Sequence, residues 1–300
     1  MDTNPLVSIL MVNKNHGHFL SDSIESYLRQ SYTHLEIILL DGNSSDNSQE
    51  IARMYSQVKL YVSEDESGSE AFVKGLAHCN GDFILFATSN DLLVDIDFIY
   101  HSIALLTKDE GLSCVFGNVL VLEPDGRTKK VLVGGKENYF GDYEKNLKNW
   151  LLHKESFHEL GGVFSKNVVL NSVGHLNDYL GKHTEIKRDI FAQLRFGFFS
   201  KGYKSEYINT DAIAVRDHFD RVSDKHRATL LMHWQLYLDQ IEGYRREFLK
   251  GYKYYFINRI GGDLERLGKH KYILFCGLII SQILVKNLKS RVKILFKVKK

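Results

Sequence analysis

Three acid- and amide-rich clusters carry the chemistry that this chain can be read for. Each follows an apolar run: Asp41-Gly42-Asn43-Ser44-Ser45-Asp46, Glu64-Asp65-Glu66-Ser67-Gly68 and Thr88-Ser89-Asn90-Asp91. A fourth run ends in Asn13-Lys14-Asn15. Carboxylates and amides hydrogen-bond ribose hydroxyls and base edges well. Acid alone repels phosphate, so a divalent cation between carboxylate and pyrophosphate would reconcile such clusters with a nucleotide. Asp, Asn and Ser also dominate ordinary turns and caps, and four polar ends on one edge favour the site reading. No G-x-x-x-x-G-K-[ST] loop and no G-x-G-x-x-G occurs, which argues against P-loop and dinucleotide chemistry.

The elements that must position these clusters follow from hydrophobic periodicity. Val7–Val12, Leu35–Leu40, Val58–Val62 and Phe83–Ala87 are short apolar runs of strand length. Leu20, Ile24, Tyr27 and Leu28 recur at helical spacing and place a helix over Asp22–Gln30. Asp46 and Asn47 stand three residues ahead of Gln49 and Glu50, a capping-box spacing for a helix carrying Ile51, Met54 and Tyr55. Glu70–Cys79 reads as a third helix. Strands alternating with helices imply βαβ units, a mostly parallel sheet and helices on both faces. Ligands of such sheets bind outside the carboxyl ends of the strands, which is where the polar clusters fall. Further on, Val115–Leu122, Pro124-Asp125-Gly126 and Lys130–Val133 read as a hairpin. Tyr143–His153, Asp189–Phe196 and Lys225–Lys250 read as helices.

With 300 residues, 44% of them hydrophobic, the chain can bury a sizeable core. Its formal charge of +2 gives no global case for nucleic acid binding. Three scattered cysteines (Cys79, Cys114, Cys276) make neither a disulfide framework nor a Cys-based zinc site. They suit a reducing compartment. No basic n-region followed by an apolar h-region opens the sequence, so a secretory leader is not expected.

The stretch Val7-Ser8-Ile9-Leu10 to Asn15, the helix end Leu28-Arg29-Gln30-Ser31-Tyr32, and Leu35-Glu36-Ile37 running into Asp41–Asp46 resemble the family 2 glycosyltransferases. Ser63-Glu64 with Ser67-Gly68, Lys74-Gly75, Gly81–Ile84, Gly117-Asn118, His158–Phe164 and Val173-Gly174 extend the resemblance, which fades near Arg221. It implies a Rossmann-like α/β GT-A domain over residues 1–220, with a helical C-terminal region over 221–300. It also implies an inverting enzyme that moves a sugar from a nucleoside diphosphate sugar, UDP-linked, to a hydroxyl of a glycan or lipid-linked acceptor.

By the same resemblance Asp41 contacts the nucleobase and Glu66 lies near the nucleoside. Val12, Asn13 and Asn15 line the nucleotide from the first strand, Ser89 and Asn90 from the fourth, and His158 lines the acceptor side. Asn90 stands where the metal-binding aspartate is usual. A Mn or Mg ion would therefore be held by Asn90 and Asp91, with His218 as a late ligand. The stretch Lys187-Arg188-Asp189-Ile190-Phe191-Ala192-Gln193-Leu194-Arg195 matches the family's base-bearing helix, which makes Asp189 the general base and Glu185 the fallback. Arg188 beside it would keep Asp189 ionised.

Tyr272–Val285 is apolar but short for a bilayer span, and every ionisable side chain from Lys286 to Lys300 is basic. Basic and apolar residues interleaved over 272–300 suit a helix in the headgroup region of an anionic membrane. The expectation is a cytoplasmic enzyme, peripheral at the inner face of the membrane. Two rivals stand beside it. One is a non-catalytic nucleotide-sugar-binding or scaffold protein on the same fold, which the Asn90 replacement favours. The other is a nucleotidyltransferase, which needs a Gly-rich basic loop after the first strand and finds only Lys14 and Gly17 there.

Overall fold

The computed structural model describes residues 4–64, 68–131, 159–174, 190, 191, 194, 197, 198 and 201–216. All of them fall in the first of two compact units, Met1–Glu242; the second is Gly243–Lys300. The expected helices over Tyr143–His153 and Lys225–Lys250, and the basic tail, lie outside the described residues. Among the described residues no helix is long and apolar enough to cross a membrane.

The N-terminal part alternates as the periodicity requires. It runs β1 (Val7–Asn13), α1 (Gly17–Leu28), β2 (Leu35–Asp41), α2 (Ser48–Arg53), β3 (Val58–Val62), α3 (Gly68–Leu76) and β4 (Phe83–Thr88). There follow β5 (Asp91–Leu93), α4 (Phe98–Lys108), β6 (Leu112–Leu122), β7 (Thr128–Val131), a single 3-10 turn (Glu159–Gly161), β8 (Gly162–Ser165), α5 (Lys166–Gly174) and β9 (Lys204–Arg216). One sheet joins them in the order β3-β2-β1-β4-β8-β6-β9-β5, with β7 on β6. Strands β1 to β4 pair with one another in parallel, as does β6 with β9. The pairings of β8, β5 and β7 are antiparallel. The chain thus builds β1, β2 and β3 outward in one direction and then returns to set β4 on the other side of β1. That reversal is a topological switch point, where open α/β sheets leave a crevice.

Both faces of the sheet are covered, which is why the strands read as continuous apolar runs rather than alternating ones. On one face Ile9, Met11, Ile37, Leu39 and Leu85 cluster with Leu20, Ile24 and Tyr27 of α1 and with Phe98 and Ile99 of α4. On the other, Leu10 and Leu40 approach Gly75 of α3 so closely that a Cβ there would lie 2.4 Å from Leu10 Cδ1. Phe86 meets Phe72 and Phe164 edge-on beside them. Truncating a fully buried side chain such as Ile24 to alanine costs about 2–5 kcal/mol.

Several boundaries differ from the periodicity, each for a physical reason. Helix α1 starts at Gly17 rather than Asp22, because its first N–H is satisfied from a distant segment: Gly17 donates to Asp46 Oδ2 at 2.9 Å. The capping box at α2 does not form. Asn47 makes no side-chain cap bond; Asp46 accepts from the Ser48 N–H at 3.0 Å, and Gln49 turns toward Asp41 instead. Helix α3 spans Gly68–Leu76, shifted toward the N-terminus of the expected Glu70–Cys79. The β6–β7 hairpin is present, its turn closed at Gly126 with φ 83°, a left-handed angle that glycine adopts without strain.

Candidate active site

Strand register brings the polar clusters together. Asn13 is the direct partner of Asp41 across β1 and β2, and Val12 is the partner of Thr88 across β1 and β4. The ends of β2, β1 and β4 therefore lie side by side on one edge, with the β1/β4 switch point between them. Ser89 N–H donates to the Val12 carbonyl at 3.1 Å, which sets the β4–β5 turn directly beside Asn13.

Asp41 is completely buried and is the hub of the edge. Its Oδ1 accepts from the Ser44 N–H at 2.7 Å and Gln49 Nε2 at 3.2 Å; its Oδ2 accepts from Asn13 Nδ2 at 2.6 Å and Ser44 Oγ at 2.7 Å. A carboxylate offers about four lone-pair sites, and four donors occupy them. Asn15 and Asn43 both sit at φ 56°, a left-handed angle that asparagine tolerates better than most residues. These turns let the two loops clasp each other. Asn15 N–H reaches Ser44 Oγ at 2.9 Å, Ser45 N–H reaches Asn15 Oδ1 at 2.8 Å, and Lys14 Nζ reaches the Gly42 carbonyl at 2.7 Å. Asp46 then ties the start of α1 to that of α2. Burial alone would raise its pKa, but bonds from the Ser48 hydroxyl and the Gly17 and Ser48 N–H groups bring it below the usual carboxylate value. Gly17 packs closely there: a Cβ would displace the exposed Asn47 side chain and lie 3.1 Å from Asp46 Oδ2 and 3.2 Å from the Ser48 nitrogen.

On the β4 side, Ser89 and Asp91 are each 1% exposed and Asn90 is 9% exposed. The Thr88 hydroxyl donates to Asp91 Oδ2, and the Arg216 backbone N–H donates to Oδ1 at 3.3 Å. Tyr27 lies beneath: burial first, then the charge of Asp91, push its phenol well above the ordinary value. Arg216, at the end of β9, stands 4.8 Å above the Phe19 ring and pairs with Asp22 at 2.8 Å. Among the described residues, Asn13 Oδ1 and Ser89 Oγ at the switch point are buried without a hydrogen-bond partner.

Sequence reading selected Val12, Asn13, Asn15, Asp41, Ser89, Asn90 and Asp91, and the fold gathers all seven on this edge. Glu66, His158, Glu185, Arg188, Asp189 and His218 lie outside the described residues. The residue after Asp189 is described: Ile190 is buried and its N–H reaches Ser69 Oγ at 3.4 Å, in the first turn of α3. Phe191 packs on Phe72 and Phe86. Ser44, Gln49, Thr88 and Arg216 were not singled out as site residues. Ser44 and Gln49 read as turn and cap chemistry, and only the 28-residue reach from Asn13 to Asp41 gives them another task.

The donor set does not by itself suit a hard divalent cation. Asn90 offers a neutral amide, and the Asp91 carboxylate is buried with a hydrogen bond on each oxygen. Among the described residues no three His, Cys, Asp or Glu side chains converge.

The sequence model of "Glycosyl transferase family 2" matches residues 8–167, more than half of the chain, with the ends of β1, β2 and β4 inside the match. The chain belongs to that family. A family relative, the Escherichia coli UDP-Glc:alpha-D-GlcNAc-diphosphoundecaprenol beta-1,3-glucosyltransferase WfgD, is 31% identical over 147 residues, covering 48% of this chain and 56% of that protein. The GalNAc(5)-diNAcBac-PP-undecaprenol beta-1,3-glucosyltransferase of Campylobacter jejuni is 29% identical over 174 residues, 56% of this chain and 54% of that one. The chain spans about half the length of these curated relatives. Among solved structures, S. aureus TarS 1-349 in complex with UDP-GlcNAc superposes with a TM-score of 0.62 at 11% identity, covering 88% of this chain and 76% of that one. Glucosyl-3-phosphoglycerate synthase from Mycobacterium tuberculosis, in complex with Mn2+, UDP and glucosyl-3-phosphoglycerate, gives 0.52 at 15% identity, covering 79% and 80%. At such identities the likeness is one of fold.

Proposed function

We propose that this family 2 member transfers a sugar from a UDP-linked nucleoside diphosphate sugar to a hydroxyl of a lipid-linked glycan, with inversion. The observation that carries this is the meeting of the β1, β2 and β4 ends at the switch point, where a crevice for a nucleotide is expected. The UDP-Glc donor of the Escherichia coli relative and the undecaprenol-linked acceptors of both relatives supply the substrate classes.

In this reading the nucleoside rests against Asn13, Asp41 and Ser89, with Glu66 beside it, and the acceptor hydroxyl approaches from the His158 side. Asp189 takes the hydroxyl proton as the oxygen attacks the anomeric carbon. The bond to the diphosphate breaks on the opposite face, which inverts the centre, and the leaving diphosphate carries away the electron pair. Support for Asp189 comes from its neighbours in sequence: Ile190 is tied to the start of α3, and Phe191 packs on Phe86, two residues before Thr88. The basic, apolar stretch 272–300 holds the enzyme against an anionic membrane surface, on the side where the lipid-linked acceptor is presented.

The test is a screen of nucleotide sugars, UDP-glucose and UDP-GlcNAc first, for slow hydrolysis and for transfer to a lipid diphosphate-linked sugar. Transfer with an inverted product supports the reading. Binding of UDP without hydrolysis or transfer supports instead the scaffold reading, which the neutral Asn90 favours.

A further inference from the structure

Strand β9 carries an irregularity level with the nucleotide edge, and it gathers polar side chains on the face where the proposed base lies. Leu85 of β4 pairs with Val163 of β8, which pairs in turn with Val115 of β6. Strands β4 and β6 run the same way, so Thr88 and Asn118 stand at one height, about 10 Å apart across the intervening strand. Cys114 pairs with Phe164, whose ring meets Phe86, and alternation turns Phe116 and Asn118 to that same face. A Cβ on the intervening Gly117 would instead lie 3.2 Å from Phe98 of α4, on the opposite face. Phe191, the second residue after Asp189, packs on Phe86. The Asn118 side chain and the segment bearing the proposed base therefore share a face.

Phe116 pairs with Tyr207 and Asn118 with Asp211, so β9 loops out extra residues here against β6. In a regular strand, residues placed as Tyr207 and Asp211 are would stand about 13 Å apart. The bulge folds that length away, and both side chains reach one amide. The Tyr207 hydroxyl donates to Asn118 Oδ1 at 2.6 Å, and Asn118 Nδ2 donates to Asp211 Oδ1 at 3.1 Å. A carboxylate only accepts, so Asp211 fixes which way the amide faces. Asn118 is 2% exposed, but the groups it joins reach solvent: Tyr207 and Asp211 are half-buried. Asn209, at the tip of the bulge with its Oδ1 3.1 Å from the Tyr207 hydroxyl, is exposed.

We propose that Tyr207, Asn209 and Asp211 bind the sugar ring of the acceptor, and that Asn118 is the positioning residue that holds them together. The proposal rests on the sugar-transfer reading above and adds the place of the acceptor sugar. Sugar hydroxyls both donate and accept: Asp211 accepts from them, Asn209 does both, and the phenol ring offers an apolar edge to the C–H groups. None of the four residues carries a positive charge, and Asp211 repels anions, so the cluster suits the acceptor's sugar rather than its diphosphate. The spacing from the end of β4 leaves room for the transferred sugar between the donor diphosphate and the acceptor ring.

The test is steady-state transfer by the full chain from UDP-glucose to a prenyl diphosphate-linked GlcNAc, with UDP affinity read by calorimetry. Asp211→Asn is expected to raise the acceptor KM about tenfold with kcat within about threefold, and Asn209→Ala to raise it about threefold. UDP titrates in both as in wild type. Asn118→Ala lets Tyr207 and Asp211 part and raises the acceptor KM, per folded molecule, by about tenfold or more. A role in closing the bulge alone would lower the urea midpoint of Asn118→Ala and leave its acceptor KM unmoved, which overturns the proposal. Should Asn118→Ala not fold, the substitutions at the more exposed Asp211 and Asn209 still decide: an unchanged acceptor KM in both overturns it. Wild type that binds UDP yet transfers to no lipid-linked sugar overturns the acceptor reading above, and the proposal with it.

Discussion

Strand β2 carries a buried carboxylate at each end, and the two have been given opposite surroundings. Glu36 and Asp41 each hold four donors. At Glu36 these are Ser8 Oγ and the Asn80 N–H, both at 2.6 Å, Lys59 Nζ at 2.7 Å and Asn80 Nδ2 at 3.3 Å. One of them is a cation, and the network is closed: Ser8 Oγ in turn accepts from the Gly81 N–H. Asp41 holds only neutral donors, and one of them, Asn13, ends in an unpartnered carbonyl. The amino end of the strand is complete as it stands. The carboxyl end leaves one carbonyl unmatched among the described residues, and it lies on the edge where a fold of this order binds its ligand.

The sharpest way to break this contrast is at the proposed chemistry. Asp189→Asn is expected to lower transfer by about 10²- to 10⁴-fold while UDP titrates as in wild type; full turnover removes the base. Next comes the closed end. Glu36→Gln presents an amide to the Lys59 ammonium and leaves donors unmatched, so urea unfolding should show a loss of about 2 kcal/mol, with turnover per folded molecule unchanged. Gly17→Ala, on the open end, crowds Asp46 Oδ2 and the Ser48 nitrogen once the exposed Asn47 side chain swings clear, and should cost about 1 kcal/mol together with UDP affinity. The two variants thus separate stability from binding, and a Glu36→Gln enzyme with impaired UDP binding would erase the distinction.

A smaller effect is the pH dependence at the closed end. Burial would raise the Glu36 pKa, but Lys59, Ser8 and Asn80 together lower it from 4.5 to about 2. A carboxyl held below its unfolded value contributes stability that is complete above pH 4.5 and lost as the pH falls toward 2. Denaturation across that window should show the slope in wild type and a flatter one in Glu36→Gln. The smallest effect expected is that of chelation. With Asn90 neutral and Asp91 engaged by Thr88 and Arg216, EDTA should change UDP affinity by no more than about threefold; a large loss would show that the cation is bound after all.

Much of this contrast was legible before the fold was seen. Strands buried on both faces announce themselves as unbroken apolar runs, so β1 to β4 and the polar block at Asp41 could be placed from sequence. What escaped depends on distant partners. The early start of α1 is set by Asp46, 29 positions away. The role of Gln49 is hidden behind an equally good capping pattern that Asp41 outcompetes. Strand β5 has only three residues, and the pairing of β9 with β6 is broken by register shifts around Gly117, so neither carries a clean period. The open atom on Asn13 has no signature at all in sequence, because it exists only by virtue of which way Asp41 turns the amide.

The account is tested most directly by a crystal structure of the chain with UDP. The nucleoside should lie at the joined ends of β1, β2 and β4, beside Asn13, Asp41 and Ser89. A nucleotide bound away from this edge would contradict the proposed function.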